Sequence, residues 1–239
     1  MRKLLKVLNV DFNKLTREDW DNVLIVAGDE GTGKSNLCLH LKDYWNGILK
    51  GGCNESDIDD VCLNSPQFVS RLKLNMPKGS MIVYDEAGEI SNLRRMSNFN
   101  TTINLAYQII RGKNYYTVLT LPSLFDLDAF FTKRRARSLI QVYARGKYAF
   151  YNKYKLRMLL DAYQRKKNQY AAFKSVRPTF IGTFAKYSGV MSEAYRKKKE
   201  RRMMEVVKIL EEKLGGLENE KDMEFDVMDR ANSPFDIPN

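Results

Sequence analysis

Histidine is nearly missing from this 239-residue chain, and cysteine is scarce. His40 stands alone, and Cys38, Cys53 and Cys62 form no C-x-x-C pair, so the ligand set of a zinc site is not there. An odd, scattered cysteine count also argues against a disulfide framework and for a reducing compartment. Any metal chemistry therefore falls to oxygen ligands. Long apolar runs are lacking too, since no stretch reaches the roughly 18 residues that a membrane span needs. The opening MRKLLKVLNVDF is broken by Lys6, Asn9 and Asp11 before a secretory apolar core can form. The expected location is cytoplasmic, meaning the host cytoplasm if the chain is encoded by a virus.

Positive charge is abundant. The formal net charge is +11, and its distribution is uneven. Between Lys133 and Arg177 there are fourteen Lys and Arg against one acid, Asp161, whereas seven acids follow Gly215. A basic block on a chain of ordinary globular composition suggests a polyanionic partner, nucleic acid first; the plain alternative is a solvated face. Tyr143, Tyr148, Phe150, Tyr151, Tyr154, Tyr163, Tyr170 and Phe173 are interleaved with this charge. Aromatic rings of this kind stack on exposed bases, or else serve as core residues of the elements that carry them. RKKKERR at 196–202 is less specific, because nearby glutamates give it the look of a solvated helix.

Punctuation and periodicity organise the rest. The first 22 residues read as a short alternating start followed by TREDWDN. VLIVA at 23–27 is a continuous apolar run of the kind buried on both faces of a parallel sheet. KSNLCLHLKDYW follows as a helix with Leu37, Leu41 and Trp45 on one face. SPQFVSRLKL begins another helix, with Ser65 as N-cap and Pro66 at its first position. Further strands are predicted at MIVYDEA (81–87), YYTVLTLP (115–122), SLIQVYAR and YAFYNKYK, with a helix at 101–114. Basic helices are expected from Leu156 to about Lys174 and from Ser192 to Leu214. The fold class is α/β, with a largely parallel central sheet flanked by helices. The implied organisation is an N-terminal segment 1–22, a core 23–155, a basic helical C-terminal extension 156–214 and an acidic flexible tail 215–239. That tail would shield the basic surface or contact a neighbouring subunit, and deletion after Gly216 followed by a DNA affinity measurement separates the two.

Chemistry concentrates in GDEGTGKS, residues 28–35. Gly28-x-x-x-x-Gly33-Lys34-Ser35 matches a phosphate-binding loop at each fixed position and lies between a predicted strand and a predicted helix. Its glycines let backbone N–H groups turn inward around phosphates, at a helix N-terminus that favours anions. The nucleotide contacts are Gly28, Asp29, Glu30, Gly31, Thr32, Gly33, Lys34, Ser35 and Asn36, with Lys34 reaching the β- and γ-phosphates of ATP. Ser35 and Asp85 are the expected Mg²⁺ ligands, because Asp85 ends a buried strand where open α/β sheets hold their ligands. Glu86, the next residue, has the character of a general base for an attacking water. The fold expected is a P-loop NTPase, and the activity expected is ATP hydrolysis.

Across roughly residues 23–145 the loop, the strand ending DEAGE, the helix ending at Arg111, the segment YYTVLTLPSLFDLD and the strand SLIQVY together resemble HerA/FtsK-type ATPases. The resemblance implies a motor moving double-stranded DNA, in genome packaging, conjugation or segregation, built as a homo-oligomeric ring such as a hexamer. It also implies a trans-acting arginine, with Arg111 the first candidate and Arg134, Arg135, Arg137, Arg94 and Arg95 as rivals. Where many members carry a Gln near the end of the third strand, this chain has Thr120. The short form also resembles zonula-occludens-toxin-like phage ATPases, which implies an alternative role on a protein complex at a membrane. A capsid or membrane partner follows from one or the other, and DNA binding is assigned to Lys133–Arg177.

Overall fold

The computed structural model describes residues 1–18, 20–85, 101 and 112–231, with Phe130 and residues 212–231 as backbone. The first unit, Met1–Ala194, is built on a seven-stranded sheet. Its strands are β1 (Asn22–Ala27), β2 (Val61–Cys62), β3 (Met81–Tyr84), β4 (Tyr116–Leu121), β5 (Ala136–Ala144), β6 (Lys147–Asn152) and β7 (Phe180–Thr183), in the order β2-β3-β4-β1-β5-β6-β7. The five from β2 to β5 are parallel, and β6 and β7 add antiparallel. The sheet is thus mostly parallel and flanked by helices. β1 is central and buried at all six positions, which is why its sequence shows no alternation.

Helices α1 (Arg2–Arg17) and α2 (Lys34–Lys50) precede α3 (Ser65–Lys73), α4 (Ala129–Arg134), α5 (Lys153–Lys166), α6 (Gln169–Ser175) and α7 (Ser192–Ala231). One sheet face contributes Val23, Ile25, Ile82, Leu119 and Leu139 to a core closed by Phe68 and Leu72 of α3, Phe131 of α4 and Leu156, Leu159 and Leu160 of α5. The basic segment 153–183 is thereby folded onto the sheet. Its expected single helix is two, α5 and α6, because Lys167 takes a left-handed conformation and Asn168 caps α6 through its side chain. Five of the eight aromatics of the basic block Lys133–Arg177 are used in packing: Tyr148, Phe150 and Tyr151 are buried, and Tyr163 and Phe173 pack on the core beside Phe125. Tyr143, Tyr154 and Tyr170 remain exposed.

The opposite sheet face carries α2. Trp45 is fully buried, donates its indole N–H to Gly79 O at 2.7 Å, and meets Tyr116 and Phe12 ring to ring. Lys42 is buried on the same helix, with Nζ 2.7 Å from Asp60 Oδ2 and 2.8 Å from Met81 O, while Arg71 Nε holds the other Asp60 oxygen at 2.7 Å. This ion-pair group ties α2 to the start of β3.

Other sequence expectations change as well. The alternating start is a sixteen-residue helix, α1, because Leu4, Leu8 and Leu15 recur at helical spacing and are buried together. The cap of α3 is Asn64, whose Oδ1 accepts from Gln67 N at 2.8 Å, and this moves Ser65 and Pro66 one place inward. MIVYDEA ends as a strand at Tyr84, with Asp85 already in a turn. The predicted helix at 101–114 falls almost wholly outside the described residues.

The second unit, Tyr195–Asn239, contains the greater part of α7. That helix runs to Ala231, past the expected limit at Leu214, and carries the pairs Arg196–Glu200 and Arg202–Glu205 along its own surface. Among the described residues no helix is long and apolar enough to cross a membrane.

Candidate functional site

The parallel strands β1, β3 and β4 all end on one side of the sheet, where the glycine loop, Lys34 and Asp85 are found. Gly28 leaves β1 with its N–H shared between Leu121 O and Pro122 O, each at 3.2 Å. A Cβ at this position would lie 2.3 Å from Val142 O, so only glycine fits between β1 and β5. Thr32 closes a turn by donating Oγ1 to Asp29 O at 2.7 Å. Gly31 and Gly33 then adopt positive φ, and Gly33 caps α2 in a left-handed conformation that L side chains rarely take.

Lys34, the first residue of α2, folds back across this loop. Its Nζ donates to Gly28 O at 2.5 Å and Asp29 O at 2.9 Å. Burial lowers the pKa of this ammonium, while Asp85, Glu30 and Asp29 pull it back toward the charged form. Ser35 follows, half-buried, in the first helical turn.

Strand alternation brings Asp85 to the same place. β4 lies between β1 and β3, with Val26 opposite Thr120 and Tyr84 opposite Leu119. Asp85 therefore comes level with Thr120, and Thr120 Oγ1 donates to Asp85 Oδ1 at 2.9 Å in a fully buried contact. The nearby Cys38 thiol is pushed well above its ordinary pKa by burial and by Asp85. A buried carboxylate thus faces a loop-bound ammonium at the start of α2, the helix whose first turn carries the Ser35 hydroxyl. Such a set suits a hard divalent cation and a multiply charged oxyanion.

A second group of contacts has no counterpart in the sequence reading. After β7, Phe184 N donates to Gly146 O at 2.9 Å, and its ring reaches to 3.5 Å from the position a Cβ on Gly33 would take. Tyr187 is anchored to α2 three ways: its N–H donates to Asn36 Oδ1 at 3.2 Å, its hydroxyl to Asp43 Oδ2 at 3.2 Å, and its ring meets His40 edge-on. His40 Nε2 is 3.0 Å from Ala185 O. Asn36 thus uses its side-chain oxygen on this strap. About 150 residues separate the partners, and no local motif marks them.

Gly28 through Asn36 and Asp85 therefore converge. Glu86, Arg111, Arg94 and Arg95 lie outside the described residues. The rival arginines sit at the other end of the strands: Ala136 pairs with Val23, Arg135 reaches Asp21 at 3.6 Å, and the Arg137 guanidinium lies 4.1 Å from the Trp20 ring centroid. Arg134 precedes them at the end of α4. No protein-family model matches this chain, and no curated protein matches it in sequence.

Proposed function

We propose that the chain is a P-loop ATPase whose hydrolysis drives movement of double-stranded DNA, as in genome packaging or conjugative transfer. The observation that carries the nucleotide part of this reading is the buried Thr120–Asp85 pair on the same side of the sheet as Lys34 and the glycine loop. In this reading the loop N–H groups and Lys34 hold the phosphates of ATP. The half-buried Lys34 ammonium exchanges its two carbonyl partners for phosphate oxygens. Ser35 and Asp85 would hold Mg²⁺, which when bound neutralises phosphate charge. Thr120 fixes the Asp85 carboxylate by donating to one of its oxygens. Glu86, adjacent in sequence, is the residue assigned to orient and deprotonate the attacking water.

The motor part rests on the resemblance to HerA/FtsK-type ATPases and on the basic surface. Arg134, Arg145, Lys147, Arg157, Arg165, Lys166, Lys167, Lys174 and Arg177 are exposed, as a phosphate-binding face requires. A ring with Arg111 acting across subunits belongs to the same proposal. The decisive experiment measures ATP turnover with and without duplex DNA, in the wild type and in Glu86→Gln. Stimulation by DNA, lost in Glu86→Gln while ATP still binds, is the expected result. Turnover indifferent to both duplex and single-stranded DNA sinks the motor reading and leaves the ATPase.

A further inference from the structure

We infer that Phe184 is the stacking platform for the nucleotide base, which enters along the β5–β7 side of the glycine loop and not along its β3–β4 side. The inference rests on the reading of the loop as a nucleotide site. Direction comes first. Asp85 and Thr120 occupy the β3–β4 side of Lys34, so the terminal phosphates, where metal and attacking water must act, belong on that side. The nucleoside end of the same ligand must then leave the loop on the other side, where β5, β6 and β7 lie.

On that side the structure places one half-buried aromatic against the loop itself. Phe184 Cε2 and Cζ lie 3.5 and 3.6 Å from the position of a Gly33 Cβ, in van der Waals contact range, so the ring borders the point where the loop becomes α2. Its placement is determined from both ends of the segment. Thr183 still pairs with Lys147 in the sheet, Phe184 N donates to Gly146 O, and a Cβ on Gly146 would meet Phe184 O at 2.9 Å. Beyond it, Ala185 O and Tyr187 are held to His40, Asn36 and Asp43 of α2. The backbone is held at both ends and the ring itself lies beside Tyr148, with centroids 6.3 Å apart, so stacking a base on it costs little backbone ordering entropy. A base against the ring also needs no particular hydrogen-bond pattern, so the platform accepts nucleobases as a class.

Affinities of the full chain for Mg-ATP and for inorganic tripolyphosphate separate base from phosphate. Phe184→Ala is expected to weaken Mg-ATP binding about tenfold and to leave tripolyphosphate binding unchanged. Phe184→Trp is expected to keep ATP affinity and to lose fluorescence on adding ATP but not tripolyphosphate, a signal that does not depend on the alanine variant folding well. Unchanged ATP affinity in Phe184→Ala, or an equal loss for both ligands, overturns the stacking role while the nucleotide site stands. If Lys34→Ala alters neither ligand's affinity, the nucleotide reading itself fails and this inference goes with it.

Discussion

Gly28 occupies a gap that admits no side chain. Its backbone passes between the ends of β4 and β5, and the oxygen that a Cβ would strike, Val142 O, belongs to a strand fixed on both sides by ladder pairing. Relief would require the β1–β5 spacing to open just where the loop begins. Gly28→Ala should therefore cost about 2 kcal/mol, the scale of overpacking in a tight site, and lower Tm by roughly 4–8 °C for a chain of this size. It should also abolish ATP binding at temperatures where the variant is still folded. Gly31 offers the control, since no atom lies within 4 Å of its Cβ position, although its positive φ still disfavours alanine mildly. A Gly28→Ala protein with wild-type Tm and ATP affinity would show that the strands yield and that the contact does not matter. Spacing alone identifies Gly28 as special, but the identity of the obstructing atom needs the fold, because Val142 is 114 residues away.

Among the elements, α1 illustrates how burial hides in a sequence. Over a few residues its pattern mimics alternation, and only across sixteen does the helical repeat of Leu4, Leu8 and Leu15 emerge. β1, β3 and β4 are easier to read, because strands covered on both faces are continuously apolar. Lys42 and β7 resist such reading. The first is a charge on the buried side of an apolar helix, rescued by Asp60 in a distant turn, and the second is a four-residue edge strand whose Gly182 is required by the Tyr148 hydroxyl beside it. α1 also carries a titrating group. Burial raises the Asp11 pKa from 3.8 to about 6, against the opposing effects of Tyr116, Asn22, Lys14 and Arg137. An acid with a raised folded pKa is harmless while protonated in both states, and it destabilises progressively as pH rises from about 4 through about 6. The loss above that window is on the order of 3 kcal/mol. Asp11→Asn should then raise Tm by several degrees at pH 7.5 and leave it unchanged at pH 4. Thermal melts of both proteins across this range test it, and a gap independent of pH would rule out ionisation of Asp11 as the cause.

At the scale of the molecule, the basic block serves two roles that its sequence does not separate. Most of its apolar residues and five of its eight aromatics are used in packing, while most of its charges stay in water. Charge left exposed in this way is either solubilising or waiting for phosphate, and salt dependence distinguishes the two. Arg165, Lys166 and Lys167 end α5 as a contiguous exposed group, far in sequence from the glycine loop. Each phosphate contact adds about 0.9 to the slope of log affinity against log salt for duplex DNA. Replacing all three by Gln should weaken duplex binding irrespective of base sequence and reduce that slope by roughly 2 to 3. ATP turnover without DNA should be untouched, because none of the three belongs to the nucleotide site. Titrations at several salt concentrations provide the measurement. A slope unchanged by the triple substitution would return this end of α5 to the solvent and move the DNA-binding face elsewhere on the molecule.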